Sequence, residues 1–237
     1  MKLGILGDIH GNIEALKVAH QICLDEKVDK VYHTGDLGGY APFVNEVVDF
    51  LVEHKIEGVQ GNYDEAVAYD RPHCGCKYEN DHQAAMAYIS FKWTKKNVSK
   101  RAKNYMKSLP FSISFQVEGK KVKIFHATPL KNNLYWYEER DTKFYLLMAE
   151  KANAQIMIYG HTHIPYFRRI DDYYFINAGS VGQPKDGDPR TCLCVIEIDK
   201  DVKVQFIRKE YNIQKVAKAI IQKGLPEFFA EKLILAK

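Results

Sequence analysis

Long apolar runs are missing from this chain of 237 residues. No stretch approaches the ~20 apolar residues that a membrane span needs, so no membrane partner is expected. The apolar run Leu3 to Leu6 is short and is followed closely by Asp8, unlike a secretory leader. Cysteine is scarce: five residues, an odd number, at spacings that match no disulfide framework. Thiols that stay reduced fit a cytoplasmic location. Charge of one sign is not in excess either. The net charge is +4 and the pI about 8.6, short of the value above ~9 that marks a nucleic-acid-binding domain. Internal repeats, low-complexity tracts and evident linkers are absent. What remains is a globular chain, 46% hydrophobic and 27% charged, large enough to bury a core without disulfides or a structural metal.

The hydrophobic pattern alternates between short apolar runs and helical periodicity. Lys2 to Leu6 reads as a buried strand, and Asn12 caps a helix with Ile13, Leu16, Ala19, Ile22 and Cys23 on one face. Val28 to His33 is a second strand. Pro42 opens a helix with Val44, Val47, Val48 and Leu51 inward, and Ile56 to Gln60 is a third strand. This β-α-β-α-β order implies parallel pairing with right-handed crossovers. Residues 70–110 read as a loop followed by helices over 80–97 and 99–108. A hairpin follows, with strands 111–117 and 121–125 around Glu118-Gly119-Lys120. A helix over 141–152 and a strand over 155–159 come next. Strands over 165–169, 173–177, 191–198 and 202–209 follow, the third with Cys192, Cys194, Ile196 and Ile198 on one face. A helical tail starts at Asn212 and breaks near Gly224-Leu225-Pro226. The expected α/β assembly is one domain over 1–210, made of two packed sheets with outer helices, and a tail over 211–237 packed on it.

Chemistry concentrates at the ends of the strands. The first strand leads into Gly7-Asp8-Ile9-His10, the second into Gly35-Asp36 and the third into Gly61-Asn62-Tyr63-Asp64. His126 follows the hairpin, and Gly160-His161-Thr162-His163 follows the strand after it. In open α/β sheets ligands bind at the carboxyl ends of strands. Five strand ends thus send two carboxylates, one amide and four imidazoles toward one edge. Seven such ligands are too many for one ion and fit two ions sharing a carboxylate bridge, the arrangement of many phosphatases and nucleases. Two divalent ions bring +4; two carboxylates and a bridging hydroxide remove three, and the remaining charge suits a phosphate ester.

Taken together, Gly-Asp-x-His, Gly-Asp, Gly-Asn-x-Asp, His and Gly-His-x-His resemble the calcineurin-like metallophosphoesterases. The stretches Gly7 to Asn12, Leu109-Pro110, Asn177 to Pro184 and Gly187 to Arg190 resemble a small bacterial and archaeal branch of that superfamily. The resemblance covers residues 1–200 and implies a four-layer αββα sandwich of two mixed β-sheets flanked by helices. It also implies that Asp8, His10, Asp36 and His163 hold one divalent ion and that Asp36, Asn62, His126 and His161 hold the other. Manganese is the first candidate, with iron, zinc, nickel and cobalt behind it. The implied reaction is hydrolysis of a small phosphate ester or nucleotide, by a metal-bridging hydroxide attacking phosphorus in line. The competing reading is a non-catalytic scaffold, or a regulator that binds nucleotide or RNA; the complete ligand set speaks against the scaffold.

Several positions carry a sharp and a bland reading. Family phosphatases often place histidine after Gly-Asn; here it is Tyr63, read either as a proton donor or as a pocket wall. Asp64, a candidate catalytic residue with Asp36, Asn62 and Tyr63, either caps a turn or orients a ligand histidine from behind. His73, Cys74 and Cys76 suggest a third metal but lack zinc-ribbon spacing, so a loop of reduced thiols beside the site is preferred. Lys92 to Lys107 holds seven cations and no acid. It reads as two solvated helices with inward aromatics in preference to a nucleic-acid groove. Arg190 is a phosphate contact or a surface arginine. Residues 66–110 and 127–152 are expected to form the pocket rim.

Overall fold

The computed structural model describes all 237 residues. Ten strands form two mixed five-stranded sheets. The first holds β1 (Lys2–Leu6), β2 (Lys30–His33), β3 (Glu57–Gly58), β9 (Thr191–Ile198) and β10 (Val202–Lys209), in the order β10-β9-β1-β2-β3. The second holds β4 (Ser112–Val117), β5 (Lys120–Phe125), β6 (Ile156–Tyr159), β7 (Tyr166–Ile170) and β8 (Tyr173–Asn177), in the order β4-β5-β6-β8-β7. Strands β1, β2 and β3 run parallel in one sheet and β5, β6 and β8 in the other. The strand ends that carry Asp8, Asp36, Asn62, His126 and His161 therefore belong to two parallel blocks. The hairpin turns at Glu118-Gly119, both with positive φ (48° and 75°), the two-residue turn that matches strand twist.

The sheets bury their facing sides against each other. Leu3, Ile5, Tyr32 and Val59 from one meet Val122, Ile124, Ile156, Ile158 and Ile176 from the other. Helices α1 (Ile13–Asp25), α2 (Val44–Glu53) and α3 (Asn62–Ala68) cover the outer face of the first sheet, and α6 (Thr142–Ala152) covers that of the second. Helices α4 (Asp81–Asn97) and α5 (Lys100–Ser108) extend the first helical layer. Helices α7 (Ile213–Gln222) and α8 (Glu227–Leu235) bury Val216, Ile220, Phe229 and Leu233 against Ala41 and Ala87. The four-layer sandwich expected from the sequence is the observed architecture. Strand β9 goes further than the expected one-sided alternation. Cys194 and Ile196 face the second sheet while Leu193 and Val195 face the helices, because β9 lies between β1 and β10 with both faces covered.

Two expectations change. The third strand keeps only Glu57–Gly58 in the ladder, since Gln60 turns away to donate its backbone N–H to Pro110 O at 2.8 Å. Helix α3 begins directly at Asn62; seven residues are too few to show a helical period. Truncating the inter-sheet core tests this packing. Ile158→Ala, at a fully buried position, is expected to cost about 3 kcal/mol in chemical denaturation. A loss below about 1 kcal/mol would contradict a tightly packed interface between the sheets.

Candidate metal centre

The six charged or imidazole side chains that the sequence singles out come together in two groups. Donor atoms of Asp8, His10 and His163 lie within 4.8 Å of one another, and so do those of Asp36, His126 and His161. Asp36 Oδ2 stands between the groups, 3.8 Å from His10 Nε2 and 3.6 Å from His126 Nε2. Asn62 joins through its amide oxygen, 2.9 Å from His126 Nε2. All seven are buried.

The backbone fixes which imidazole atom faces inward. His10 Nδ1 contacts Gly38 O at 2.8 Å, His126 Nδ1 contacts Thr34 O at 2.8 Å, and His163 Nδ1 contacts Gln183 O at 2.6 Å. A carbonyl only accepts, so each of these nitrogens carries the proton and each Nε2 presents a lone pair. Yet His10 Nε2 and His163 Nε2 stand 3.1 Å apart, a contact with no proton to share. Asp8 Oδ1 nearby is buried without a hydrogen-bond partner, 3.7 Å from His163 Nε2. Converging lone pairs and an orphaned carboxylate oxygen fit a cation and fit no neutral filling.

Burial acts on the same groups. It pushes Asp8 up to about 7 and His10 down to about 3. It raises Asp36, with the carboxylate of Asp64 adding to the effect. It also lowers His161 and His163. The imidazoles are thereby held neutral, the state a metal ligand needs, while the carboxylates lack positive charge.

Local geometry is arranged around these contacts. Asp8, His10, Asp36, His161 and His163 all have positive φ, between 23° and 69°, a region costly for residues with a Cβ and concentrated at functional sites. The preceding glycines leave room for partners: a Cβ on Gly160 would strike Asp8 Oδ2, and one on Gly61 would strike Asp36 Oδ1. Asp64 accepts from the backbone N–H groups of Asp36, Leu37 and Gly61 at 2.8–3.0 Å. It locks the Asp36 loop onto the start of α3. Asn177, at the end of β8, donates to Gly160 O and Thr162 Oγ1, both at 3.0 Å, and braces the histidine loop.

Comparison with known proteins agrees with this geometry. Residues 1–201 match the calcineurin-like phosphoesterase superfamily domain. The chain belongs to that superfamily. It is 30% identical to an uncharacterized protein of Methanocaldococcus jannaschii, over 99% of this chain and 98% of the relative. A probable metallophosphoesterase of Methanothermobacter thermautotrophicus is 28% identical over 41% of this chain and 53% of its own length. Among solved structures, a metallophosphoesterase from Sphaerobacter thermophilus covers all of both chains, with a TM-score of 0.79 and 25% identity. A hypothetical protein from Pyrococcus horikoshii shares the fold, with a TM-score of 0.83 and 20% identity over 98% of this chain and 97% of its own. The family acts on phosphoesters and binds divalent metals.

The remaining candidate residues take definite positions around the centre. Tyr63 packs its side chain into the core. Its hydroxyl is buried 3.4 Å from Thr94 Oγ1, its ring packs edge-on to Phe91, and burial raises its pKa. What Tyr63 gives the site is its backbone N–H, which donates to Asp36 Oδ1 at 2.9 Å. Cys74 and Cys76 face each other at 2.8 Å and belong to neither ligand group. Asn62 Nδ2 donates to Cys74 O at 2.9 Å and to Cys76 Sγ at 3.2 Å, so this loop holds the Asn62 amide. Arg190 forks onto Asp188 at 2.6–3.1 Å on an exposed turn. Phe91 is buried and Trp93 and Tyr105 pack against the cores. Lys103 pairs with Asp70 and Arg101 with Asp49, as the solvated-helix reading of that segment expects.

Sequence reasoning missed Lys185. It lies two residues beyond Gln183, whose carbonyl holds His163; burial lowers its pKa, and Cys76, Asp8 and Asp36 act in the opposite direction. Its position directly after the Gly182-Gln183-Pro184 turn was the available signal. The raised Asp8 couples metal loading to protons. Below about pH 7 an ion must displace a proton from Asp8, whereas His10 stays unprotonated down to about pH 3. Divalent-metal affinity is therefore expected to fall by at least about tenfold per pH unit below neutrality, since the raised Asp36 must give up a proton as well, with proton release in calorimetry at pH 6. Equal affinities at pH 6 and pH 8 would contradict this linkage.

Proposed function

We propose that the chain hydrolyses phosphoesters with two divalent ions, manganese first among them. Asp8, His10 and His163 hold one ion, His126, His161 and Asn62 hold the other, and Asp36 bridges them. The observation that carries this reading is Asp36 Oδ2 standing between two converging sets of lone pairs. Two such ions, when bound, polarise a phosphoryl oxygen and acidify a water.

The chain's own residues supply the rest. The three carbonyl-anchored histidines keep their Nε2 atoms aimed inward. Asp64 fixes the Asp36 backbone and the Tyr63 N–H holds the Asp36 carboxylate in place, and Lys185 lies at the edge, where Asp8 and Asp36 favour its charged form against burial. Cavities adjoin the centre on two sides: one of about 750 Å³ reaches Asn62, and one of about 570 Å³ reaches Thr162. Room on both sides of the phosphorus favours diesters. With the Tyr63 hydroxyl turned away, substrates whose leaving groups need no proton are favoured as well.

Activity on bis(p-nitrophenyl) phosphate is expected with manganese and is expected to vanish with a chelator. Asp36→Asn is expected to lower kcat by at least about a hundredfold and to weaken both ions, and Asn62→Ala to weaken one. Tyr63→Phe is expected to change kcat by less than about threefold on good and poor leaving groups alike. Two ions bound with no turnover on any activated phosphoester would replace hydrolysis by a scaffold role.

A further inference from the structure

The cavity of about 570 Å³ beside Thr162 has an unusual charge balance. Lys77, Arg140, Lys185, Lys232 and Lys237 line it, against the single carboxylate side chain of Glu79. None of these five cations forms a salt bridge. Arg140 reaches only the Tyr135 carbonyl and the Phe144 ring, and Lys232 rests over the Phe228 ring. The unpaired cations converge from the loop after α3, the loop before α6, the turn after Gln183 and helix α8. Four separate parts of the chain thus contribute positive charge to one concave surface.

The cleft lies beside the metal centre. Thr162 lies between His161 and His163, and the Tyr135 ring packs 4.2 Å from the His161 ring, centroid to centroid. Lys185 sits at the junction: it lines the cleft and its ammonium also feels Asp8 and Asp36. Aromatic surface lies within the same walls. Tyr78 and Tyr137 are 37% and 40% exposed, and Tyr137 stacks on Tyr135 at 5.8 Å and 18°. Cations that track phosphates next to exposed ring faces are the chemistry that binds a nucleotide, and the volume lies within the range of small-molecule sites.

Resting on the hydrolytic reading above, we propose that this cleft is a second-phosphate subsite and that the preferred substrates are nucleotides carrying a phosphate besides the one at the metal centre. The second phosphate meets Lys185, Lys77 and Lys232, with Arg140 at the outer wall, and the base lies against Tyr78 and Tyr137. Lys77 is exposed and Lys232 is half-buried over the Phe228 ring, and neither belongs to a core cluster, so replacement by glutamine leaves the core packing untouched.

The test is calorimetric titration of the manganese-loaded full chain with adenosine 3′,5′-bisphosphate, adenosine 5′-monophosphate and inorganic pyrophosphate, with turnover followed separately by phosphate release. The bisphosphate is expected to bind about tenfold tighter than the monophosphate and tighter than pyrophosphate. In the Lys77→Gln/Lys232→Gln double variant, with its melting temperature unchanged, the preference over the monophosphate is expected to shrink to about twofold. Equal binding of bisphosphate and monophosphate, or an unchanged preference in the double variant, would overturn the subsite. Pyrophosphate binding as tightly as the bisphosphate would overturn the nucleotide assignment. Preserved binding preference without turnover would sink the hydrolytic reading and leave the cleft's selectivity standing.

Discussion

Two imidazole nitrogens, His10 Nε2 and His163 Nε2, face each other at 3.1 Å with both ring protons committed to backbone carbonyls. Lone pairs at that separation repel unless positive charge lies between or beside them, and the surroundings supply no proton donor. Asp8 Oδ1 shares the predicament as a buried carboxylate oxygen without a donor. A polar cluster of this kind destabilises a fold if left uncompensated. The rest of the architecture is understandable as the apparatus that holds these groups together against their own repulsion until cations compensate them.

That apparatus begins with two parallel blocks of strands. The blocks pack face to face through Leu3, Ile5, Ile124, Ile158 and their neighbours, and this brings strand ends far apart in sequence to one edge. Glycines at 61 and 160 then let a carboxylate from another strand approach the backbone. Five of the ligand candidates accept left-handed backbone conformations, a local cost that the surrounding hydrogen bonds from Asp64, Asn177 and three carbonyls oppose. Stability is given up at the site and recovered in the inter-sheet core, which is why the most strained residues lie beside the most tightly buried ones.

Much of this was legible in the sequence for a physical reason. Glycine followed by an acid or a histidine at the end of an apolar run marks a turn that exposes a ligand, and that signal is local. Asp8, Asp36 and His161 carry that signal directly, Asn62 follows a glycine in the same way, and His10, His126 and His163 stand beside the same strand ends; the two-sheet α/β pattern is legible from the apolar runs. Side-chain direction was not. Tyr63 stays open in the sequence between a proton donor and a pocket wall, because it stands where family phosphatases often place histidine; the start of α3 sends its hydroxyl toward Thr94. The cationic cleft was equally hidden, because Lys77, Arg140, Lys185 and Lys232 are spread over more than 150 residues and only the docking of α8 brings the last of them near the first. Helix α3 left no trace in the periodicity because it is shorter than two turns.

The central claim is that one carboxylate oxygen joins two cation sites. A crystal structure of the manganese-soaked chain, with anomalous maps recorded at the manganese edge, tests it most directly. The account predicts two anomalous peaks about 3.5–4 Å apart, one beside Asp8, His10 and His163 and the other beside His126 and His161, with Asp36 Oδ2 between them. A single peak, or a peak at Cys74 and Cys76 with none beside Asp36, would contradict it.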